Sequence, residues 1–491
     1  MEALLQTDWN LLARLSLPIL ILVSMAIVLL LLTPFLKTRF HEVLVVLCGF
    51  ALGAAFFFSW REWMSGTSYR MSGLLFDRLA YGFDLLFTIA AVLTVSLSKD
   101  YLQEEEGHKG EYYVLLLFAT AGAMLIAHGA DLIVLFLGLE IMSLAAYILT
   151  GMRRGCIQSY EAALKYFILG SFASGFLLYG IALLYGAVGS TSLEAIQQAS
   201  IPPVEPTLLL FGVALLLIGI CFKIAAAPFH FWSPDVYEGA PTPVTAFMAS
   251  VIKAAGFAAL IRIIIVLGHI PQIPWNSVLW ALAALTMTVG NLAALKQTNM
   301  KRMLAYSSIA HAGYALVGVT AALQKNTLMD STLGAVIFYL FAYSLMTIGA
   351  FAILVAIGRR GEQADEISDF SGLAGKHPVL AGAMAIFLLS LTGIPPMIGF
   401  VGKFYLFAGA MEAGLYGLVI IAALNSVVSA YYYLGPIVRM YFQKEKLFVL
   451  PHLTYALAAT IFLCLFVVIY LGIFPSGIFL MARESVRELV F

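Results

Sequence analysis

Apolar runs of membrane-spanning length follow one another along almost all of the 491 residues, and this leaves few folds open to the chain. A helix needs roughly 20 apolar residues to cross a bilayer core, and about fourteen such runs can be read: near 11–36, 41–60, 74–98, 112–128, 130–151, 162–187, 207–227, 241–267, 276–295, 302–322, 331–357, 378–411, 413–440 and 452–481. They predict an all-α polytopic membrane protein. The longest polar connections, near 99–111, 188–206 and 358–377, are too short for a soluble domain. Composition agrees. The chain is 62% hydrophobic and 11% charged, where a soluble domain carries about 25% charged residues, and its mean hydropathy is +0.96. The 27 basic and 27 acidic residues balance, which argues against nucleic acid and against an acidic partner. Cys48, Cys156, Cys221 and Cys464 stand apart with no CxxC pair, so no disulfide framework, iron–sulfur site or zinc site is expected. No small-residue cleavage site follows the first apolar run, which is read as a retained helix.

Orientation follows from the lysines and arginines of the loops. The odd-numbered loops carry most of them, among them Lys99, Arg153, Arg154, Lys301, Arg302, Lys376 and Arg439. The even-numbered loops carry only Arg61, Arg70, Arg78 and Lys325, and the tail residues Arg483 and Arg487 fall on that sparse side. The odd loops are therefore expected in the cytoplasm, or the matrix or stroma of an organelle, with both termini on the other face.

Two spans are interrupted. Pro228 follows Lys223 in GICFKIAAAPFHFW, and Gly393, Pro395 and Pro396 precede Lys403 in LLSLTGIPPMIGFVGKFYLF. Proline removes a backbone donor and clashes with the preceding turn, so both helices should break. A broken helix at membrane depth is tolerated where it is buried in protein or lines a wet cavity. The segments from 163 and from 335 echo one another, and an odd number of spans separates the copies, which makes them inverted. Inverted repeats with a broken helix in each half are a transporter signature.

Ionisable residues inside spans cost roughly 2.5–3.5 kcal/mol or more and are functional candidates by default. Glu140 lies about ten residues into its helix, Lys223 about sixteen and Lys253 about twelve, so all three sit near mid-depth at 1.5 Å per residue. A lysine stem there is too short to snorkel. Burial disfavours a charged lysine and a nearby carboxylate favours it, so a change in the Glu140–Lys223 separation would switch the lysine between holding and releasing a proton. Lys165 reads either as an i,i+4 surface partner of Glu161 or as part of the same machinery. His230 and His311 fit proton relays or satisfied packing residues equally well. Arg262, close to a helix end, is expected to snorkel. Asp84 is expected to pair with a tyrosine or face a cavity. No nucleotide-binding, phosphate-binding, haem-ligating or metal-ligating pattern is present.

The segments FLGLEIMSLAAYILTG, SYEAALKYFILGSFASGFLLYG, FKIAAAPFHFWSPDVYEGAPTPVTAFMASVIKAAGF, NLAALKQTNMKRMLAYSSIAHAGYALVG and LSLTGIPPMIGFVGKFYLF closely resemble the N subunits of proton-pumping NADH:quinone oxidoreductase, respiratory complex I. Lys403 separates the chain from the related M type, which has a glutamate in that helix. The resemblance implies fourteen transmembrane helices, with inverted five-helix repeats at spans four to eight (residues 112–267) and nine to thirteen (276–441). Residues 1–111 would form the first three spans and 442–491 the last, with spans seven and twelve broken. It implies Glu140 and Lys223 as control pair, Lys253 as central relay and Lys403 as the lysine of the second half-channel. Lys165 and His230 would belong to the buried polar axis, His311 would match them in the second repeat, and Asp84 has no counterpart. It further implies protons as cargo, M-type and K-type subunits as neighbours, and a bacterial inner membrane with periplasmic termini. No catalytic redox group is expected on this chain; NAD, FMN, iron–sulfur clusters and quinone would sit on partner subunits. A subunit of a cation/proton antiporter or membrane-bound hydrogenase complex is the alternative, and an inert scaffold is disfavoured by the cost of its buried charges.

Overall fold

Runs of Leu, Ile, Val, Ala and Phe close their backbone hydrogen bonds locally, and the computed structural model is accordingly almost all helix over residues 8–35, 41–104, 110–199, 206–268, 270, 273–324, 329–358, 365–444 and 453–487, which are the residues it describes. In chain order these helices are α1 (Trp9–Leu15), α2 (Leu17–Leu32), α3 (His41–Ser65), α4 (Arg78–Glu104), α5 (Gly110–Ala127), α6 (Leu132–Thr150), α7 (Ile157–Val188), α8 (Leu193–Ala199), α9 (Pro206–Lys223) and α10 (Trp232–Gly239). Then come α11 (Thr242–Leu267), α12 (Trp275–Ala294), α13 (Met300–Gln324), α14 (Met329–Ile357), α15 (Leu373–Lys376), α16 (Pro378–Thr392), α17 (Ile398–Glu412), α18 (Tyr416–Phe442), α19 (Tyr455–Ile473) and α20 (Ser476–Arg487). Among the described residues, twelve helices are long and apolar enough to cross a membrane.

The run 378–411 breaks as expected into two helices, α16 and α17. Two other runs take a different form. The run 302–322 becomes α13, longer than α12 and more polar. The run 452–481 ends early at α19, because Pro475 separates it from the amphipathic α20, whose charged residues include Arg483, Glu484 and Arg487. A β-hairpin, β1 (Tyr69–Met71) with β2 (Leu74–Phe76), was not expected. Its two-residue turn, Ser72–Gly73, has positive φ at both positions, as a type I′ hairpin requires.

Every residue of α11 is buried, and α13 and α14 nearly so. A helix apolar on all sides belongs in the centre of a bundle. The perimeter helices present large apolar side chains outward, such as Leu31, Phe50, Phe172, Val427 and Phe462. Helix pairs approach closely where a side chain is missing: a Cβ on Gly122 would lie 2.6 Å from the Met142 amide nitrogen, tying α5 to α6.

The polar groups gather at two opposite ends. At one end lie Arg14–Glu62 (3.5 Å), Arg70–Glu194, Arg78–Glu484 (3.5 Å) and the Trp63 indole donating to Ser485 (2.9 Å). At the other lie Lys99–Glu42 (3.4 Å), Lys301 donating to the Ala240 carbonyl (2.7 Å) and the Met300 amide donating to Asp365 (2.6 Å). Burial raises the Asp365 carboxyl above the usual carboxylate range, with Lys301 opposing the shift. Among the described residues, Arg70 and Arg78 of the sparse loops thus share one end, and Lys99 and Lys301 of the dense loops the other; Lys325 lies outside the described residues. Arg262 corrects the expectation of snorkelling. It is fully buried, forms a two-pronged ion pair with Asp77 at 2.6 Å on each prong, and donates to the Ala127 carbonyl at 3.0 Å. Asp77 at the head of α4 neutralises it in place, so the side chain has no need to reach the interface.

Candidate functional site

The first broken helix ends on one of the candidate residues. Helix α9 stops at Lys223, the chain turns through Ala225 at a φ of 55°, and α10 begins after Pro228. A left-handed alanine is sparsely populated and marks a backbone held there by its surroundings. Lys223 is 2% exposed, and its Nζ donates to Ser143 Oγ (2.7 Å) and Tyr147 OH (3.2 Å). Glu140, Ser143 and Tyr147 recur at helical spacing along one face of α6. The ammonium therefore meets the two neutral groups on that face and not the carboxylate. Glu140 Oε1 is buried, with no hydrogen-bond partner among the described residues.

The second broken helix reaches a similar arrangement by another route. Helix α16 ends at Thr392, and Gly393 follows at a φ of 93°. A Cβ on Gly393 would lie 3.0 Å from Lys403 Cδ, so glycine fits both the backbone and the space. Lys403 sits beyond the break, on α17, and reaches back to donate to the Thr392 carbonyl at 2.8 Å. Lys223 is the last residue of the half-helix before its break, whereas Lys403 follows its break and sets its ammonium at the carbonyl end of the half-helix before it. That end carries unpaired acceptors and the negative pole of the helix dipole.

Between them lies Lys253, the first residue after a π-helical turn at Met248–Ile252. Such turns recur at functional sites. Its Nζ donates to the backbone carbonyl and hydroxyl of Ser308 on α13. Ser308 Oγ is 3.4 Å from Tyr237 OH. Toward Lys223, Trp232 stacks on Tyr166 at 4.4 Å, and Tyr166 meets Tyr147 edge-on at 4.7 Å. Toward Lys403, His311 Nδ1 is 2.6 Å from Tyr339 OH and its Nε2 3.2 Å from Tyr433 OH, which also bonds Ser307. Tyr432 donates to Asn291 (2.9 Å), Asn291 donates to Tyr314 OH (3.2 Å), and Lys403 Nζ stands 4.6 Å from the Tyr314 ring. Ionisable, hydroxyl and aromatic groups thus form a succession from Lys223 through Lys253 to Lys403. The tyrosines and Asn291 were not singled out in the sequence, although polar tips within apolar runs were a visible signal.

The remaining expected residues are placed differently. His230 is buried just beyond the first break, with its Nδ1 unpartnered among the described residues. Lys165 is not in the buried interior: its side chain is 42% exposed, since α7 lies on the perimeter, and it pairs with both Glu161 (2.7 Å) and Asp235 (2.8 Å). Asp235 and Glu238 in turn each hold Arg302 at 2.7 Å. Asp84 meets no tyrosine hydroxyl; its buried carboxylate is bonded by His128 and Ser59. Among the described residues, no three His, Cys, Asp or Glu side chains are grouped as metal ligands.

The family described as NADH:quinone oxidoreductase/Mrp antiporter, TM, matches residues 129–429, which include Glu140 and all three central lysines. NADH-quinone oxidoreductase subunit N of Trichlorobacter lovleyi is 45% identical over 473 residues, covering 96% of each chain. A chain of respiratory complex I from Thermus thermophilus with bound aureothin superposes with a TM-score of 0.81 at 38% identity, over 95% of this chain and 99% of that one. A chain of the Mrp complex from Dietzia sp. shares the fold, with a TM-score of 0.83 at 21% identity over 97% of each chain. The long quoted segments, the helical architecture and these likenesses agree, and the chain belongs to the subunit N family of NADH-quinone oxidoreductase.

Proposed function

We propose that this chain is a proton-translocating membrane-arm subunit of a complex I. Electrons pass from NADH or a related donor to quinone on other subunits, which hold the NAD, FMN, iron–sulfur and quinone sites. The observation that carries the reading is the setting of the three lysines. Lys223, Lys253 and Lys403 are all buried, and each ammonium is held by hydroxyl or carbonyl oxygens, with no ion pair among the described residues. An ammonium paired with a carboxylate would strand a buried charge on losing its proton. One held by neutral acceptors leaves none behind.

In this reading Glu140 is the control group. An approach of its carboxylate to Lys223 stabilises the charged lysine, and a retreat releases its proton. Lys253 then passes charge toward His311 and Lys403, with His230 and Lys165 at the margins of the first half. The repeats occupy 112–267 and 276–441, flanked by 1–111 and 442–491. The M-type and K-type subunits are the expected neighbours, and the end carrying Arg61, Arg70 and Arg78 faces the bacterial periplasm together with both termini. A sodium pathway would favour carboxylate and carbonyl ligands over an axis of lysines.

The assembled complex in lipid vesicles tests this, with NADH oxidation, proton uptake and sodium uptake measured separately. Lys223→Ala and Glu140→Ala should each lower coupled turnover and proton uptake together. Full proton uptake in both variants would remove the mechanism, and sodium uptake that tracks turnover would favour an antiporter.

A further inference from the structure

A second buried polar cluster lies outside the lysine succession, at the end of the molecule that carries Arg14 and Arg61. Asp84 on α4 and His128, the residue after α5, are 0% and 1% exposed. His128 Nε2 lies 3.0 Å from Asp84 Oδ2, and Ser59 on α3 donates to the same oxygen at 3.2 Å. The other polar atom of each, Asp84 Oδ1 and His128 Nδ1, is buried with no hydrogen-bond partner among the described residues. Each unmet buried group costs about 1–3 kcal/mol. Two in one pair make a poor structural clamp, since apolar residues of the same shape would hold these helices at lower cost.

The surroundings isolate the pair on one side and open it on another. Phe76 and Tyr81 pack on the imidazole at 5.2 and 5.0 Å. Asp77 is neutralised by Arg262 on α11. Glu62, one helical turn from Ser59 on α3, is buried but held by Arg61 and by Arg14, whose side chain is 60% exposed. Ser59 therefore stands between the buried pair and a carboxylate whose partners reach the surface.

We infer that Asp84 and His128 form a proton-holding site that exchanges with water through Ser59 and Glu62, separate from the lysine succession; the inference rests on the proton-translocating reading above. With the imidazole neutral and Nε2 bare, a proton delivered from Glu62 through the Ser59 hydroxyl forms an O–H bond at Asp84 Oδ2. That bond breaks as an N–H bond forms at His128 Nε2, which leaves an imidazolium beside the carboxylate. Release is the same path reversed, so one proton enters, one leaves, and the pair returns to its starting state.

The complex carrying Asp84→Asn or His128→Gln, reconstituted in vesicles, tests the site. Glutamine keeps a hydrogen-bond donor for Asp84 but does not titrate. Both variants should assemble, lose severalfold in protons moved per NADH oxidised, and lose carboxyl or imidazole bands from the redox-induced infrared difference spectrum. Wild-type pumping and an unchanged spectrum in His128→Gln would overturn the inference by reducing the pair to a structural contact. Ser59→Ala removes only a hydroxyl and covers the case in which the other two fail to assemble: proton flux should fall, and unchanged flux would refute the route. Lys223→Ala without pumping beside His128→Gln with full pumping would sink this site alone, whereas full pumping in both would remove the proton-translocating reading itself.

Discussion

Lys223 and Arg262 show two ways of keeping a cation inside a helical bundle. Arg262 is matched prong for prong by Asp77, with a backbone carbonyl completing its bonds. It stays charged whatever happens nearby, so it suits a fixed cross-link between α11 and the head of α4. Lys223 is held by two hydroxyls alone, and its charge is free to change. Substitutions should therefore separate the two roles. Asp77→Ala leaves a buried guanidinium unpaired and should cost about 3–5 kcal/mol of stability, read as a lowered unfolding temperature of the purified complex. Lys223→Ala strands no charge and should lower that temperature by less, while coupling falls. The identities of these charged residues were legible in the sequence because any charge within an apolar run stands out. Their partners were not: Asp77 is 185 residues from Arg262 and Ser143 is 80 from Lys223, and no local pattern encodes such distances.

At the level of elements, the two breaks and the close helix pairs do the positioning. Prolines placed the breaks correctly within the sequence, since loss of an N–H is a local effect. They did not indicate that Lys223 would close its half-helix while Lys403 would reach back across its own. Helix pairing depends equally on positions without a side chain. Gly122→Leu would press a side chain onto the α6 backbone, where a Cβ alone already falls 2.6 Å from the Met142 nitrogen. Overpacking of this kind costs about 1–3 kcal/mol, and the expected result is less assembled complex and earlier thermal unfolding. Gly375, whose Cβ would meet nothing within 4 Å, is the control position and should tolerate alanine. Helix α20 and the β-hairpin escaped the sequence reading because both are short. An amphipathic turn after Pro475 resembles the end of the span before it, and a three-residue strand has no periodicity to detect.

Across the whole molecule, the two broken helices are joined by one succession of polar and aromatic groups centred on Lys253 and Ser308. If the halves act as one relay, the double variant Lys223→Ala/Lys403→Ala should pump no worse than the poorer single variant; separate channels would instead make the losses multiply. Proton uptake by vesicles carrying each single variant and the double variant decides between them. The sequence by itself determined that the chain is a bundle of membrane helices, where two of them break, and which costly charges they carry. Those properties follow from local hydrophobicity and backbone chemistry. Only the tertiary structure decided that Lys223 is bonded by Ser143 and Tyr147, that Arg262 is a clamp, that Lys165 lies on the perimeter, and that tyrosines fill the space between the lysines. These outcomes depend on which helix faces pack together, and in an environment as apolar as the helices themselves that choice is made by shape and by the pairing of a few polar groups.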